Sequence, residues 1–186
     1  LIGLVGSEMC IRDRETYVRY VLPSEMPSTF DAEALKAQAV CARTFVYSQM
    51  KNTQYALYGA NIDNTTAFQV YNASETKQST DEAVKATAGQ VVSCGGSLIT
   101  CYYFSTSAGK TEDMEVWSSS TPDFIHKVES VDDNSPYYRW TSELDLSAYN
   151  DPQYGTATGI SVDKTSDVGY VLSLTINYGN KSQTFT

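Results

Sequence analysis

The stretch that decides the fold reads Leu22-Pro23-Ser24-Glu25-Met26-Pro27 and continues shortly afterwards as Glu33-Ala34-Leu35-Lys36-Ala37-Gln38-Ala39-Val40 and Ala42-Arg43-Thr44. Each proline fixes its own φ and drives the residue before it toward extended geometry, so the turn that carries Glu25 is stiff. If the apolar side chains of Leu22 and Met26 partly desolvate this carboxylate, its ionised form is disfavoured, and on this hypothesis Glu25 is a candidate proton donor near neutral pH. The alternative is a solvated surface group, the ordinary state of most of the 22 Asp and Glu residues in the chain.

Apolar residues at helical spacing predict a helix on each side of this turn. The first is predicted over residues 15–22 and stops at Pro23. The second is predicted from an N-cap at Ser28 or Thr29 to about Gln49, with small residues that allow close packing.

Two polar side chains of the second helix are candidate ligand contacts. Gln38 lies about one turn before Ala42 and Arg43, so Gln38 and Arg43 are expected to reach one shared cleft. The residues alone leave open the alternative that Arg43 pairs with a neighbouring acid.

The rest of the chain predicts a third helix and several extended segments. A capping box of Ser79 and Glu82 begins a helix that runs through Ala88, and Gly95-Gly96 between apolar runs predicts a β-hairpin. Extended segments are predicted at residues 68–71, 137–140, 160–162 and 171–178, the last two as antiparallel strands. The fold class is therefore α+β, in which N-terminal helices carry the turn with Glu25 and pack with antiparallel hairpins around a cleft.

The run Ser105-Thr106-Ser107-Ala108-Gly109-Lys110-Thr111-Glu112 follows a predicted strand. Small hydroxyl residues and glycine at such a position can hold a ligand, and Ser105, Ser107 and Lys110 are the candidates. A polar turn is the commoner explanation of such a run.

Composition restricts the function classes. The net charge of −9 without a basic stripe argues against nucleic-acid binding, because phosphates need clustered Lys and Arg. No run approaches the ~18 apolar residues of a membrane helix. A serine or cysteine hydrolase would have to use the single His126, and the cysteines lack the spacing of a zinc site. The 14 tyrosines fit stacking on sugar rings and fit half-buried sheet equally well.

Both ends of the sequence are expected to be incomplete. Met9-Cys10-Ile11-Arg12-Asp13-Arg14 resembles a translated sequencing adapter, so residues 1–14 are predicted to be a non-native segment and residues 15–186 the domain. The chain also stops at Thr186 without a predicted closing element.

Five motifs in consistent order resemble the stage II sporulation protein D family, which includes the amidase-enhancer proteins. One such motif would be weak evidence for the resemblance, whereas five motifs in register over residues 15–176 are strong evidence. The motifs are Pro23-Ser24-Glu25-Met26-Pro27, residues 33–44, Phe68-Gln69-Val70-Tyr71, residues 105–112 and Ser135-Pro136-Tyr137-Tyr138-Arg139-Trp140.

This resemblance implies a lytic transglycosylase that cleaves peptide-stripped peptidoglycan between N-acetylmuramic acid and N-acetylglucosamine and leaves a 1,6-anhydro end. It assigns catalysis to Glu25 and an important cationic role to Arg43, with a further cation at either Lys110 or Arg139. Neutral hydrogen bonds to the sugars are expected from Gln38, Gln69, Ser105 and Ser107. Some family members hold zinc through a Cys/His cluster where this chain has Ala67 and Phe68, so neither a metal nor another cofactor is expected.

The resemblance also implies partners and a location. The partners are peptidoglycan glycan strands, a cell-wall amidase and membrane proteins, and the location is extracytoplasmic, in the cell wall or anchored through a missing N-terminal segment. Two rival functions remain: a non-catalytic glycan-binding enhancer of an N-acetylmuramoyl-L-alanine amidase, and a peptidoglycan amidase or peptidase, which would need zinc ligands or a cysteine–histidine pair.

Overall fold

Apolar stripes on three helices build the first part of the structure. In the computed structural model α1 spans Ile11–Glu25, α2 spans Ala32–Gln49 and α3 spans Gln78–Ala86. Full burial of a Val or Leu side chain contributes about 1.5–3 kcal/mol, so the shared core of these helices is their main source of stability. Its buried members are Tyr17, Val18, Val21, Leu22, Leu35, Ala39, Ala42, Val46, Ile62, Ala83 and Val84.

The structure describes residues 11–51, 53–58, 60–63, 65, 68–74, 76–116, 118 and 120–186. The chain separates into two compact units, Leu1–Tyr103 and Phe104–Thr186. The predicted non-native segment, residues 1–14, lies outside the described residues except for positions 11–14, which belong to α1. Within the described part of the chain, no helix combines the length and apolar character that crossing a bilayer requires.

The first helix continues through Pro23 to Glu25, so its predicted stop at Pro23 is wrong. The backbone N–H of Met26 donates to the carbonyl oxygen of Leu22 at 3.0 Å, which closes the last turn although Pro23 itself has no N–H to donate. Val21 and Leu22 are fully buried and anchor this end. Glu25 is therefore the last residue of a packed helix.

The starts of α2 and α3 also differ from prediction. The first helical bond of α2 runs from the N–H of Leu35 to the carbonyl oxygen of Asp31 at 3.0 Å, so α2 begins after Asp31 and not at Ser28. The hydroxyl of Ser79 donates to the carbonyl oxygen of Ser28 at 2.7 Å. Ser79 thus ties α3 to the loop before α2 instead of forming the predicted capping box.

The predicted hairpin at Gly95-Gly96 is confirmed. It joins β1 (Ser93–Cys94) to β2 (Ser97–Leu98), and both glycines have positive φ, +57° and +79°. Two consecutive positive φ values define the type I′ turn that fits the right-handed twist of a hairpin.

The second unit contains a three-stranded antiparallel sheet in the order β3 (Gly159–Thr165), β4 (Val171–Tyr178), β5 (Lys181–Phe185). Ile160 pairs with Ile176 across β3 and β4. Ile176 and Tyr178 form a small core with Ala157. The two predicted C-terminal strands are thereby confirmed, and with them the mixed α+β class.

The strand predicted at residues 137–140 is wrong. The N–H of Tyr138 donates to the carbonyl oxygen of Ser135 at 3.1 Å, and the hydroxyl of Ser135 accepts from the N–H of Tyr137 at 3.2 Å. These local bonds use the groups that a strand ladder would need. Trp140, the last residue of this segment, is 73% exposed.

Arg43 is fully buried, with 0% exposure, where the three helices meet. Its Nε donates to Glu15 Oε1 at 2.7 Å and its Nη2 to Glu15 Oε2 at 2.8 Å, a bidentate pair between α2 and α1. Its remaining donors reach the carbonyl oxygens of Val84 at 3.3 Å and Gln90 at 3.1 Å, at the end of α3 and beyond it. One guanidinium therefore connects all three helices.

Replacing Arg43 with Met is expected to lower the free energy of unfolding by about 3–5 kcal/mol, because the three helices lose their shared guanidinium and the largely buried carboxylate of Glu15 is left with the N–H of Gly89 as its donor. Arg19→Met is the matched control. Arg19 pairs with Asp81 on the surface at 2.6 Å, and exposed pairs contribute about 0–1 kcal/mol. Urea unfolding followed by the helical circular dichroism signal measures both variants, and equal losses would contradict the special role of Arg43.

Candidate functional site

A cavity of about 270 Å³ opens at the C-terminal end of α1, where Glu25 lies. Among the described residues that line this cavity, Glu25 alone carries a charge. The volume is slightly below the ~300–1,000 Å³ of sites for drug-sized ligands, which suits one ring-sized group. The other lining residues are Phe45, Phe68, Val70, Cys101, Tyr102 and Tyr103.

The backbone next to Glu25 holds one of its oxygens. The N–H of Val70 donates to Glu25 Oε1 at 3.0 Å. Val70 is held there by Tyr71, whose ring stacks on Tyr17 of α1 with centroids 5.5 Å apart. The N–H of Asn72 also donates to the carbonyl oxygen of Tyr20, at 3.2 Å. Residues of the segment 68–71 thus supply part of the cavity wall, although the segment forms no strand.

A chain of polar side chains approaches Glu25 from its other side. The hydroxyl of Tyr17 donates to Gln69 Oε1 at 3.3 Å, and Gln69 Nε2 donates to the hydroxyl of Tyr103 at 3.4 Å. Burial raises the pKa of Tyr103 to about 12, and the neighbouring charge and hydrogen bonding of Glu25 add to the rise. Tyr103 is therefore a neutral phenol at physiological pH, and it lies beside the carboxylate.

Gln69 and Gln38 were predicted to contact a ligand, but neither residue lines the cavity. Gln69 is 1% exposed, and its amide is engaged by Tyr17, Tyr103 and the carbonyl oxygen of Ala42. The predicted direct hydrogen bond from Gln69 to a sugar is therefore not supported by the structure. Gln69 instead supports the residues that line the cavity. Gln38 is 6% exposed on α2, its Nε2 has no hydrogen-bond partner among the described residues, and it is not one of the lining residues.

Arg43 also departs from its predicted role. The guanidinium is fully buried and bound by Glu15, so in this structure it has no donor left for a saccharide carboxylate. The alternative that Arg43 pairs with an acid is the one observed, although the pair lies in the interior and its partner is 28 residues away.

The remaining predicted residues lie in the second unit. Ser107 is 3% exposed, and both its N–H and its hydroxyl donate to Asp132 Oδ2, at 2.7 and 2.6 Å. Ser107 therefore fixes a loop and does not present its hydroxyl to a ligand, contrary to expectation. Ser105 is exposed.

Two motifs of the second unit meet each other. The hydroxyls of Thr106 and Ser135 lie 2.6 Å apart. The hydroxyl of Tyr138 lies close to Gly109: a Cβ atom built on Gly109 would be 3.3 Å from the Tyr138 hydroxyl oxygen. The run from residue 105 to 112 thus packs against the run from 135 to 140. Both candidate cations are exposed on these runs, Lys110 on the first and Arg139 on the second. The Arg139 guanidinium lies 5.7 Å from the ring centroid of Tyr138.

Sequence reasoning missed most of the cavity wall. Phe45, Tyr102 and Tyr103 were not among the candidates, although the tyrosine-rich composition was a general signal for such a wall. Tyr102 and Tyr103 end the segment that follows β2, and no local motif distinguishes them from ordinary half-buried strand residues.

The three described cysteines form no disulfide. Cys41, Cys94 and Cys101 are free thiols, and Cys94 is exposed. Burial, together with the neighbouring Cys101, raises the pKa of the Cys41 thiol to about 11, so Cys41 is not a thiolate nucleophile at neutral pH. In the described part of the chain, no three His, Cys, Asp or Glu side chains are grouped as a metal site.

Comparison with known proteins gives the class of this domain. Residues 7–93 match the family model described as "SpoIID: Stage II sporulation protein". The chain belongs to the stage II sporulation protein D family, which confirms the resemblance drawn from the five motifs.

Three curated relatives make the similarity specific. The "Amidase enhancer" of Bacillus subtilis (strain 168) is 45% identical over 125 residues, which cover 67% of this chain and 16% of the relative. "Stage II sporulation protein D" of the same strain is 35% identical over 84% of this chain and 49% of the relative. "Stage II sporulation protein D" of Bacillus amyloliquefaciens is 32% identical over 87% of this chain and 50% of the relative. The chain thus spans at most about half the length of these relatives.

Asp132→Asn is expected to destabilise the second unit by ~1 kcal/mol at pH 7, because Ser107 and Ser130 lose a charged acceptor. The hydroxyl of Ser107, with its N–H and the hydroxyl of Ser130, holds the pKa of Asp132 below 3.8. A carboxyl group whose pKa is lower in the folded state than in the unfolded state stabilises the fold at pH values above its unfolded-state pKa. This stabilisation is lost as the pH falls through its folded-state pKa.

Urea unfolding followed by tryptophan fluorescence measures the effect, since both tryptophans belong to the second unit. The difference between wild type and Asp132→Asn should shrink below about pH 4. Asp133→Asn, at the exposed neighbouring position, is the control. If Asp132→Asn lowers the free energy of unfolding by the same amount at every pH, the explanation by hydrogen bonds to a charged Asp132 is contradicted.

Proposed function

We propose that this domain is a lytic transglycosylase of peptide-stripped peptidoglycan, with Glu25 as its acid and base. The observation that carries the proposal is a single carboxylate at the end of a packed helix, in a cavity with aromatic walls and bonded by the N–H of Val70. Aromatic rings suit the apolar faces of sugars. Membership of a family whose members are named for sporulation and amidase enhancement supports a cell-wall substrate.

One carboxylate suffices for this reaction. Glycoside hydrolases use a pair of carboxyl groups, because an external water must be activated or a covalent intermediate formed. In a transglycosylase, Glu25 donates its proton to the glycosidic oxygen, and the bond between that oxygen and C1 breaks. The sugar's own 6-hydroxyl oxygen then bonds to C1 and returns its proton to Glu25, which gives a 1,6-anhydro end and restores the acid.

Glu25→Gln is expected to slow the release of anhydro-ended products by about 10²–10⁴-fold, the usual contribution of a positioned general acid. Glutamine keeps an oxygen that accepts from Val70 N–H, so glycan strands should still co-sediment with the variant. Products from purified peptide-free strands are measured by mass spectrometry. Glu33→Gln, at an exposed glutamate of α2 that pairs with Lys36, is the matched control. Full activity in Glu25→Gln would overturn the proposal.

The lactyl carboxylates of the substrate need a cation, and none of the described residues that line the cavity supplies one. We propose Lys110 or Arg139, both exposed, as the cation that binds a lactyl carboxylate of the strand. Arginine binds a planar carboxylate in a bidentate manner, and the Tyr138 ring pre-orients Arg139.

Alanine at the responsible cation is expected to weaken binding to peptide-free peptidoglycan strands about two- to fivefold, the range of an exposed ion pair, and to leave neutral chitin oligomers unaffected. Sedimentation binding at low and high salt measures Lys110→Ala and Arg139→Ala, and added salt should remove the difference. Equal losses on both polymers would show that neither cation recognises the carboxylate.

The second candidate function is a glycan-binding module that stimulates a separate amidase. It is favoured by the relative named "Amidase enhancer", which is 45% identical. In that case wild-type protein would bind peptide-free strands, release no anhydro ends and accelerate an added N-acetylmuramoyl-L-alanine amidase. With either function, the proposed location of the domain is outside the cytoplasm, because its proposed ligand, peptidoglycan, is found there. A cell-wall amidase and membrane proteins are its proposed partners.

A further inference from the structure

Tyr103 shares the cavity with Glu25 and ends a buried chain of polar groups that begins at Tyr17. The middle member of this chain, Gln69, is fully enclosed. An enclosed amide has few ways to satisfy its donors and its acceptor. The donor and the acceptor of each hydrogen bond in this series of polar groups can therefore be identified.

The orientation of the Gln69 amide follows from the carbonyl oxygen of Ala42. A carbonyl oxygen only accepts, so the Gln69 atom that faces it at 3.5 Å is the amide nitrogen. The Gln69 oxygen then faces Tyr17, whose hydroxyl donates to it at 3.3 Å. The second hydrogen of the amide nitrogen is directed at the oxygen of Tyr103, 3.4 Å away.

This arrangement fixes what Tyr103 can do. Its oxygen accepts from Gln69, so its own O–H is left to donate, and Glu25 is the neighbouring acceptor. Burial keeps the phenol neutral, so the O–H is present throughout the physiological pH range.

Among the described residues of the cavity wall, Glu25 has no charged neighbour. The titratable groups that face it are the phenols of Tyr103 and Tyr17, with the Cys101 thiol elsewhere in the wall. The backbone N–H of Val70 is its other donor. Neutral donors therefore provide the stabilisation of its negative charge.

We propose that Tyr103 is a positioning residue that directs its hydroxyl proton at Glu25 and stabilises the carboxylate as it forms, and that Gln69 sets this direction. The inference rests on the proposed acid/base role of Glu25. When Glu25 gives its proton to the leaving oxygen, negative charge develops on the carboxylate, and a donor already aimed at it stabilises the transition state more than the ground state.

Tyr103→Phe tests the proposal, because it keeps the ring and removes only the hydroxyl. The expected loss in kcat is about five- to tenfold, the equivalent of one hydrogen bond, with KM unchanged. Gln69→Leu should cause a similar loss, and the double variant should lose no more than either single variant, because Gln69 acts through Tyr103. Tyr47→Phe, at a half-buried tyrosine of α2 that does not line the cavity, should leave kcat unchanged.

A second readout does not depend on activity. The carboxyl carbon resonance of Glu25, recorded by carbon NMR at one fixed pH, should move in Tyr103→Phe and stay in place in Tyr47→Phe, since only the first variant removes a donor beside the carboxylate. An unchanged resonance in a folded Tyr103→Phe variant would overturn the proposal, as would additive losses in the double variant. If wild type releases no anhydro ends, the proposed function fails, and the NMR comparison still decides whether Tyr103 contacts Glu25.

Discussion

The structure of the helical unit depends on one buried ion pair, between Arg43 and Glu15. A guanidinium without water must have all of its donors satisfied, and here this requires a bidentate carboxylate from α1 and carbonyl oxygens at and beyond the end of α3. These contacts tie α2 to α1 and to the end of α3. Glu25 is ten residues further along α1 than Glu15, about 15 Å at 1.5 Å per residue. The pair thus fixes the helix whose other end carries the proposed acid.

Among the described residues, neutral groups surround the one charged side chain of the cavity, Glu25. Tyr71 stacks on α1 and holds the N–H of Val70 against Glu25, while the side chain of Gln69 supports Tyr103. Two adjacent residues, Gln69 and Val70, therefore serve the same carboxylate, one by its side chain and one by its backbone. The described residues of the wall include no cation, so the proton of Glu25 is their reactive feature, which fits the proposed acid and base roles better than tight anion binding.

Local signals predicted the parts of the fold that local interactions determine. The Gly95-Gly96 hairpin was predictable because two positive φ values favour glycine. The two prolines singled out Glu25, whose role stays a prediction. The helix end beyond Pro23 was not, because burial of Val21 and Leu22 offsets the missing proline donor. Arg43 was assigned to a cleft because nothing near it in sequence identifies Glu15 as its partner. Tyr103 was missed for the same reason, since it lies 34 residues from Gln69.

The most direct test of the central claim is the crystal structure of Glu25→Gln bound to a peptide-free glycan tetrasaccharide. The account predicts one sugar ring in the aromatic cavity, with its glycosidic oxygen about 2.6–3.2 Å from the amide of residue 25, the reach of a general acid. A saccharide bound away from this cavity, with residue 25 out of reach of every glycosidic oxygen, would contradict it.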